Sequence, residues 1–192
     1  IISGDGIFIP SSGYPMLLSK LTTLPFDGPD IEIAGLTEDS RKVKPGFLFI
    51  ATPGVKLDGR SFIDDAIQKG AVAVLAPEGL KSLASVTMVT APDIRKATSA
   101  LAAVFYPRQP ETIVAVTGTS GKTSTAQFAR EIWQTLGHAS ASIGTLGLVT
   151  AAGTSYGALT TPDAITLHHI LDDCAGQGIT HAAMEASSNG IE

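Results

Sequence analysis

A short stretch containing glycine, lysine and threonine carries the clearest chemistry in the sequence. It reads TGTSGKTS over residues 117–124, between the apolar run TIVAV and a segment with helical periodicity. Glycines let successive N–H groups point into one concavity, and a helix N-terminus adds positive potential. A lysine can reach the β- and γ-phosphates of a nucleotide, and the next hydroxyl can bind Mg²⁺. The pattern therefore predicts a phosphate-binding loop made of Gly118, Thr119, Ser120, Gly121, Lys122, Thr123 and Ser124.

The alternative to a phosphate loop is a plain glycine turn with an exposed lysine. At ordinary residue frequencies, the pattern G-x-x-G-K-S/T arises in ~1 of 100 chains of this length. The flanking strand and helix reduce that chance further. Val116 stands where the common Walker A pattern has its first glycine. We therefore expect a short variant of the loop rather than a P-loop kinase or GTPase.

The composition limits the class of protein. At roughly 150 residues per domain, 192 residues correspond to about 1.3 domains. The 44% apolar content and 16% charged content exclude disorder as the main state. The net charge of −5 argues against a nucleic-acid partner. The single cysteine, Cys174, excludes an internal disulfide and favours the cytoplasm.

No segment of the sequence has the character of a membrane anchor. The longest uncharged stretch, residues 139–162, is broken by glycines and rich in Ser and Thr. We predict strand and loop there, and no membrane insertion. Residues 1–13 show no clear periodicity and receive no assignment, and no signal peptide is visible at the N-terminus.

The first part of the chain predicts a small α/β domain over residues 1–109. Short apolar runs predict strands in IEIAGL, FLFIA, AVAVLA and VTMVT. Ser61 is predicted to cap a short helix that stops at Gly70. A second helix is predicted over residues 93–106, and the prolines at 107 and 110 open a linker.

The second part, residues 110–192, predicts a parallel sheet with crossover helices. Strands are expected in TIVAVT, ASASI and HAAMEA, with helices over 122–136 and from Thr161 to about Ala175. Thr161 is the expected N-cap of the second helix. The first helix carries an apolar stripe expected to be core: Ala129, Ile132, Trp133 and Leu136. About three strands and two helices leave faces uncovered, so this domain is expected to be incomplete.

Other candidate residues favour structural roles. His181 and Glu185 share a strand face about 13 Å apart, which is too far for one metal ion. His168 and His169 are helix neighbours that point in different directions. Cys174 has no identifiable base beside it, so packing is favoured over nucleophilic catalysis.

Taken together, several segments resemble one family. The loop at 117–124, TTPD at 160–163 and MEASSNG at 184–190 are similar to the ATP-dependent Mur ligases of peptidoglycan synthesis. Upstream, DSR at 39–41, PG at 45–46, FLFIA, DG at 58–59 and the pattern at 66–71 resemble the family's uridine-nucleotide domain. The resemblance covers residues 31–192. It is closest to the MurE type, which adds the third amino acid to UDP-N-acetylmuramoyl-L-alanyl-D-glutamate, and the MurF type ranks below it.

The resemblance implies roles for particular residues. Lys122 would contact the transferred phosphate of ATP as a catalytic residue, and Thr123 with Glu185 would hold Mg²⁺. The UDP-muramoyl-dipeptide would contact Ser40, Val55, Lys56, Leu57, Thr160, Thr161 and Ser187. Asn189 stands where the family usually has histidine, and histidine and glutamine often found at 55–57 are absent.

The resemblance also implies a reaction and its partners. The γ-phosphoryl group of ATP would pass to the D-glutamate carboxylate, and an amine of diaminopimelate or lysine would attack the acyl phosphate. The chain ends before the family's further Mg²⁺-site histidine, carboxylated lysine and C-terminal domain, so we expect no complete catalytic cycle from it. The alternative from another class is a remnant that binds a nucleotide without turnover.

Overall fold

A computed structural model describes residues 14–54, 58–80, 83, 85–155 and 162–186. The chain separates into two compact units, one of Ser11–Pro107 and one that contains Arg108–Glu192. Each unit has its own sheet and its own buried core. The fold class is α/β with parallel sheets, as the sequence predicted.

The first unit is a five-stranded sheet with a separate two-stranded pair. The sheet order is β2-β7-β6-β5-β4, in which only β2 runs antiparallel to its neighbour. Its elements are, in chain order, β1 Met16–Leu17, α1 Leu18–Leu21, β2 Phe26–Asp27, β3 Glu32–Ile33, β4 Gly35–Thr37, a 3₁₀ turn Ser40–Lys42, β5 Phe47–Ile50, a 3₁₀ turn Gly59–Phe62, α2 Ile63–Gln68, β6 Ala71–Pro77, β7 Thr87–Ala91 and α3 Ile94–Phe105.

The central strands of the first unit are apolar because both faces of the sheet are covered. Phe49 and Val74 belong to the core cluster that includes residues of α2. Leu48 and Leu75, which are their neighbours in sequence, are also fully buried. Successive side chains of a strand point to opposite faces of the sheet. Burial of both members of each pair of sequence neighbours therefore shows that both faces of this sheet are covered.

Aspartates begin both 3₁₀ turns and the helix α3 of this unit. The Asp93 carboxylate accepts from the Lys96 N–H at 3.0 Å, and caps α3. The predicted cap at Ser61 is wrong. Asp58 instead accepts from the Arg60 N–H at 3.0 Å and starts the 3₁₀ turn before α2. The Ser61 hydroxyl donates to the Asp58 carbonyl, so the capping signal lies three residues earlier than expected.

The second unit has the expected alternation of strands and helices, with an added hairpin. Its sheet order is β11-β10-β9-β12-β8, and β9, β12 and β8 are parallel. The hairpin β10–β11 pairs antiparallel to β9 and was predicted only as strand and loop. The elements are β8 Thr112–Val116, α4 Lys122–Thr135, β9 Ser140–Gly144, β10 Gly147–Thr150, β11 Gly153–Ser155, α5 Ala164–Gly176 and β12 His181–Glu185.

The two helices of the second unit use different positions of β9. Ala141 and Ile143 pack in one core cluster with Ile170 and Leu171 of α5. The alternate residue Ser142 accepts a hydrogen bond from Gln127 of α4 at 2.8 Å. Because strand side chains alternate between faces, α4 and α5 cover opposite faces of this sheet.

The apolar stripe of α4 is not buried as predicted. In this chain Ile132 and Leu136 are 59% and 68% exposed, and Ala129 and Trp133 are half-buried. Strand β8 is apolar after its first residue but also leaves Ile113 more than a third exposed. Within the described residues β8 pairs with β12 alone, so it forms an edge of the sheet and its neighbourhood lacks covering layers.

The N-cap of α5 also differs from the prediction. Asp163, not Thr161, caps the helix, since its carboxylate accepts from the Thr166 N–H at 2.9 Å and from the Thr166 hydroxyl at 2.7 Å. Thr161 lies outside the described residues. Asp163 therefore satisfies one of the free amides in the first turn of α5 directly.

An ion pair between an exposed arginine and a buried aspartate ties the start of the second unit to α5. Asp172 is fully buried and accepts from the Arg108 backbone N–H at 2.8 Å and from its guanidinium at 2.7 Å. Removal of Arg108 would leave the buried Asp172 carboxylate without its charge-assisted bonds. This contact fixes the segment that leads into β8.

The helices are short. The longest are α3, α4 and α5, of 12, 14 and 13 residues. Among the described helices, none combines the length and the apolar character that crossing a bilayer requires.

Ile170→Ala should destabilise the second unit by about 2–5 kcal/mol, because Ile170 is fully buried and the substitution leaves a cavity. Ile132→Ala makes the same change at an exposed position of this chain and should stay within about 0.5 kcal/mol. Urea unfolding followed by fluorescence of Trp133, the single tryptophan, measures both. Equal losses in the two variants would contradict the assigned core.

Candidate functional site

An exposed glycine loop connects β8 to α4. Residues 117–121 are all exposed, and Gly118 and Gly121 have φ values of +143° and +81°. A side chain at either position would be strained in this conformation. The Gly121 carbonyl accepts the first helical bond, from the Thr125 N–H at 2.9 Å. The loop therefore ends directly in a helix N-terminus, as an anion cradle requires.

Lys122 crosses the base of this loop. It is the first residue of α4, and its ammonium donates to the Gly118 carbonyl at 2.6 Å. The side chain thus bends back over the glycines rather than extending into solvent. In this position the positive charge lies beside the backbone groups that the sequence predicted to hold phosphate.

Glu185 lies at the C-terminal end of β12, where its side chain is held by three bonds to two residues. It is only 4% exposed. The Thr123 hydroxyl donates to its Oε2 at 3.0 Å. The Thr145 N–H donates to Oε1 at 2.8 Å, and the Thr145 hydroxyl donates to Oε2 at 3.2 Å. The structure therefore brings Thr123 and Glu185, far apart in sequence, into direct contact.

The donor set of this contact suits a hard cation. The hydroxyl of Thr123 and the carboxylate of Glu185 are oxygen donors of the kind that Mg²⁺ prefers. Across the described residues, no three His, Cys, Asp or Glu side chains group as a metal site. Mg²⁺ commonly binds through one or two carboxylates and completes its shell with substrate phosphates and water. A Mg²⁺ ion accompanied by a polyphosphate therefore fits these residues, and Thr123 and Glu185 would hold it.

The first unit contains an open pocket of about 640 Å³. Several polar side chains that line it are hydrogen-bonded to one another. The Asp39 carboxylate accepts from the Arg41 guanidinium, and this contact lowers the pKa of Asp39 to about 2. The Thr52 hydroxyl donates to Glu38 at 2.5 Å. The lining residues are Glu38, Asp39, Ser40, Arg41, Thr52, Pro53, Gly54, Gly59, Phe62 and Arg95.

Ser40 lines this pocket but is already engaged. It is 7% exposed, and hydrogen bonds from Lys69 and from Ser40 lower the pKa of Asp65. Its predicted neighbours at the uridine-nucleotide site, Val55, Lys56 and Leu57, lie outside the described residues. So do Thr160, Thr161, Ser187 and Asn189, so their predicted roles rest on the sequence alone.

The histidines do not assemble into a metal site within the described part of the chain. The ring of His181 packs in a tilted arrangement against the rings of Trp133 and His138, with centroids 5.2 and 4.2 Å away. His168 contacts Gln109, whereas His169 pairs with Asp173. The two neighbouring histidines of α5 therefore have separate partners.

Two features of the carboxylate site were not predicted. Gly144 is the last residue of β9 and Thr145 follows it, and nothing in their local spacing distinguishes them from a strand end and a turn. Their importance comes from β12, which lies beside β9 in the sheet although about forty residues separate Thr145 from Glu185. Thr52 and Arg95 line the pocket of the first unit, and they were not predicted from the sequence as site residues either.

Family models match both parts of the chain. One for the Mur ligase middle domain matches residues 116–192, and one for the Mur ligase family, catalytic domain, matches residues 32–109. Together they account for most of the sequence. The chain belongs to the Mur ligase family. The first match includes the glycine loop and Glu185, and the second includes the pocket that contains Ser40.

Named relatives indicate which type of Mur ligase this chain resembles. The chain is 48% identical over 184 residues to UDP-N-acetylmuramoyl-L-alanyl-D-glutamate–2,6-diaminopimelate ligase of Rhizobium meliloti. This alignment covers 96% of the chain and 37% of the relative. The ligase of the same name from Bradyrhizobium diazoefficiens is 53% identical over 165 residues, covering 84% of the chain and 33% of the relative. The chain therefore spans about a third of the length of these Mur ligases.

A solved structure of a ligase with the same name is also similar to this chain. A structure of a UDP-N-acetylmuramoyl-L-alanyl-D-glutamate–2,6-diaminopimelate ligase superposes with a TM-score of 0.80 at 30% identity, covering 93% of the chain and 37% of that structure. A MurF ligase of Thermotoga maritima in complex with ADP reaches a TM-score of 0.56 at 23% identity, covering 80% and 32%. The second comparison supports the fold alone.

Cys174 should resist thiol reagents in the folded protein. It is fully buried, and burial raises the pKa of its thiol to about 12. At about pH 8 the thiolate fraction is then on the order of one in ten thousand. Reaction with DTNB should be slow for native protein and should reach one equivalent in denaturant, since the chain has one cysteine. Fast, complete labelling of native protein would contradict the buried position.

Proposed function

We propose that this chain forms the uridine-nucleotide and ATP-binding part of a MurE-type ligase. The observation that carries the proposal is the contact between the Thr123 hydroxyl and the Glu185 carboxylate, beside the exposed glycine loop. This contact joins a predicted phosphate cradle to a carboxylate that can hold Mg²⁺. The relatives named above support the reaction type.

The proposed reaction makes an amide bond through an acyl phosphate. The D-glutamate carboxylate of the UDP-muramoyl-dipeptide attacks the γ-phosphorus of ATP, and ADP leaves. An amine of the incoming amino acid then attacks the acyl carbon, and phosphate leaves with the new amide bond formed. No nucleophile from the protein is needed, so the contribution of the site is positioning and neutralisation of charge.

Residues of this chain would divide that work. The backbone groups from Gly118 to Gly121 would bind the phosphates, and Lys122 would leave the Gly118 carbonyl to contact the transferred phosphate. Thr123 and Glu185 would hold Mg²⁺, which when bound neutralises phosphate charge. The ADP complex of the MurF ligase supports a nucleotide in this fold.

The pocket of the first unit is the proposed uridine-diphosphate site. It is open and about 640 Å³ in volume, which is adequate for a nucleotide, and charged side chains contribute to its lining. Ser40 and Arg95 line it, and the arginine can form charge-assisted bonds to a diphosphate. The expected contacts of Val55, Lys56 and Leu57 remain part of the proposal, as do those of Thr160, Thr161 and Ser187.

The third amino acid is proposed to be 2,6-diaminopimelate rather than lysine. The names of the matched ligases support this choice. A cytoplasmic location is also proposed, since ATP is a cytoplasmic substrate and Cys174 is a free thiol.

Binding without turnover is the second candidate function. It needs only the exposed glycine loop and the Lys122 ammonium beside it, which the structure describes. In that case ATP would bind at the glycine loop without release of phosphate. Assays with the UDP-muramoyl-dipeptide and each amino acid separate the two functions.

Lys122→Ala should reduce phosphate release by at least about a hundredfold, because it removes the cation nearest the phosphate loop. The assay uses ATP, Mg²⁺, the UDP-muramoyl-dipeptide and diaminopimelate with the complete protein that carries this sequence. Lys96→Ala, at a lysine 88% exposed on α3, is the matched control and should stay near wild type. Retained turnover in Lys122→Ala would remove Lys122 from the mechanism.

Arg95→Ala should weaken binding of the UDP-muramoyl-dipeptide about tenfold, since a charge-assisted hydrogen bond is lost. Isothermal titration calorimetry without ATP measures this step alone. Lys96→Ala alters the next residue of α3, which does not line this pocket, and should bind normally. Equal binding by both variants would place the uridine nucleotide elsewhere.

A further inference from the structure

The Glu185 carboxylate is held by the end of β9 as well as by the glycine loop. Its Oε1 accepts from the Thr145 N–H at 2.8 Å, and its Oε2 accepts from the Thr145 hydroxyl at 3.2 Å. The remaining bond to Oε2 comes from the Thr123 hydroxyl at 3.0 Å. Both oxygens therefore have fixed partners, and the plane of the carboxylate is set by Thr145.

Gly144 provides the space that this arrangement needs. Residues of β12 pair in parallel with β9 up to Met184 and Ile143, and one further step sets Glu185 beside Gly144. A Cβ at Gly144 would overlap Oε1 of Glu185 and lie 2.5 Å from its Cδ and 2.6 Å from its Cγ. The Glu185 side chain thus lies across the bare backbone of Gly144, and any larger residue would displace it.

A displaced Glu185 carboxylate would lose hydrogen bonds that it makes in its present position. Gly144 has an unstrained φ, so alanine at this position would be opposed by the neighbouring Glu185 side chain, which would have to shift, and not by the backbone. Glu185 is 4% exposed, and a buried carboxylate that loses its donors is costly. A shift of Oε1 away from residue 144 would also break its bond to the Thr145 N–H.

We propose that Gly144 and Thr145 are positioning residues that hold the Glu185 carboxylate in register with Thr123 for a nucleotide-bound divalent cation. The inference deepens the proposed function and rests on it. Neither residue would touch the cation or the phosphates. Gly144 acts by leaving room, and Thr145 acts through its N–H and its hydroxyl.

The hydrogen-bond inventory of a threonine hydroxyl explains why the position of Glu185 matters. A hydroxyl has one proton and two lone pairs. While Thr123 donates its proton to Glu185, its lone pairs remain free to face a cation. This orientation requires a carboxylate at a fixed place on the other side of the hydroxyl, and Gly144 with Thr145 fixes that place. Partners that orient metal ligands typically change metal affinity by about 10–100-fold when removed.

Binding of mant-ATP to the complete protein, with Mg²⁺ and with EDTA, tests the proposal. Wild-type protein should bind more tightly with Mg²⁺. Gly144→Ala should reduce the Mg²⁺-dependent affinity by about 10–100-fold, and Thr145→Val, which keeps the shape and loses the hydroxyl, by about tenfold. Affinity in EDTA should not change in either variant. Thr145→Ser keeps the hydroxyl and should restore the Mg²⁺ effect to within about twofold of wild type.

Thr125→Val is the matched control, because Thr125 is exposed on α4 two residues beyond Thr123 and should behave as wild type. Normal Mg²⁺-dependent binding by Gly144→Ala and Thr145→Val would overturn the inference and leave the proposed function intact. Equal losses with Mg²⁺ and with EDTA would overturn it as well, since they indicate a general structural role. Wild-type protein without any Mg²⁺ effect would overturn the proposed function, and the inference with it.

Discussion

The hydrogen bond from Thr123 to Glu185 is the contact on which the site depends. It connects the first turn of α4 to the end of β12, so it joins the glycine loop to the carboxylate that we propose as a ligand of Mg²⁺. In a parallel sheet, loops that follow the carboxyl ends of strands meet at one edge, and ligands bind there. The contact therefore requires the strand order in which β12 lies between β8 and β9.

Local patterns predicted most of the elements. The helix after Asp93 and the strand–loop–helix unit at β8 and α4 appear where composition and glycines indicated them. The errors have local causes as well, because Asp58 and Asp163 are better capping residues in their actual backbone positions than Ser61 and Thr161. The hairpin β10–β11 was missed because it is short and rich in glycine and threonine.

The site was predictable only in part. The glycine loop has a sequence signature because a backbone cradle is local, and Glu185 was expected from its resemblance to a known pattern. Gly144 and Thr145 carry no such signature, since their role depends on a strand that follows about forty residues later and pairs beside them. The burial of the α4 stripe was predicted from periodicity, which identifies an apolar face without saying whether anything covers it.

The open edge of β8 has a consequence for handling this chain. Within the described residues its backbone pairs on one side only, and apolar side chains of β8 and α4 are exposed nearby, among them Val114 and Phe128. A strand edge with unpaired backbone groups, flanked by exposed apolar side chains, is a site at which strands of further chains can pair. A concentrated preparation of the 192-residue polypeptide alone should thus be prone to self-association and precipitation. A lysine introduced at an exposed position of β8 is a rational change to increase solubility.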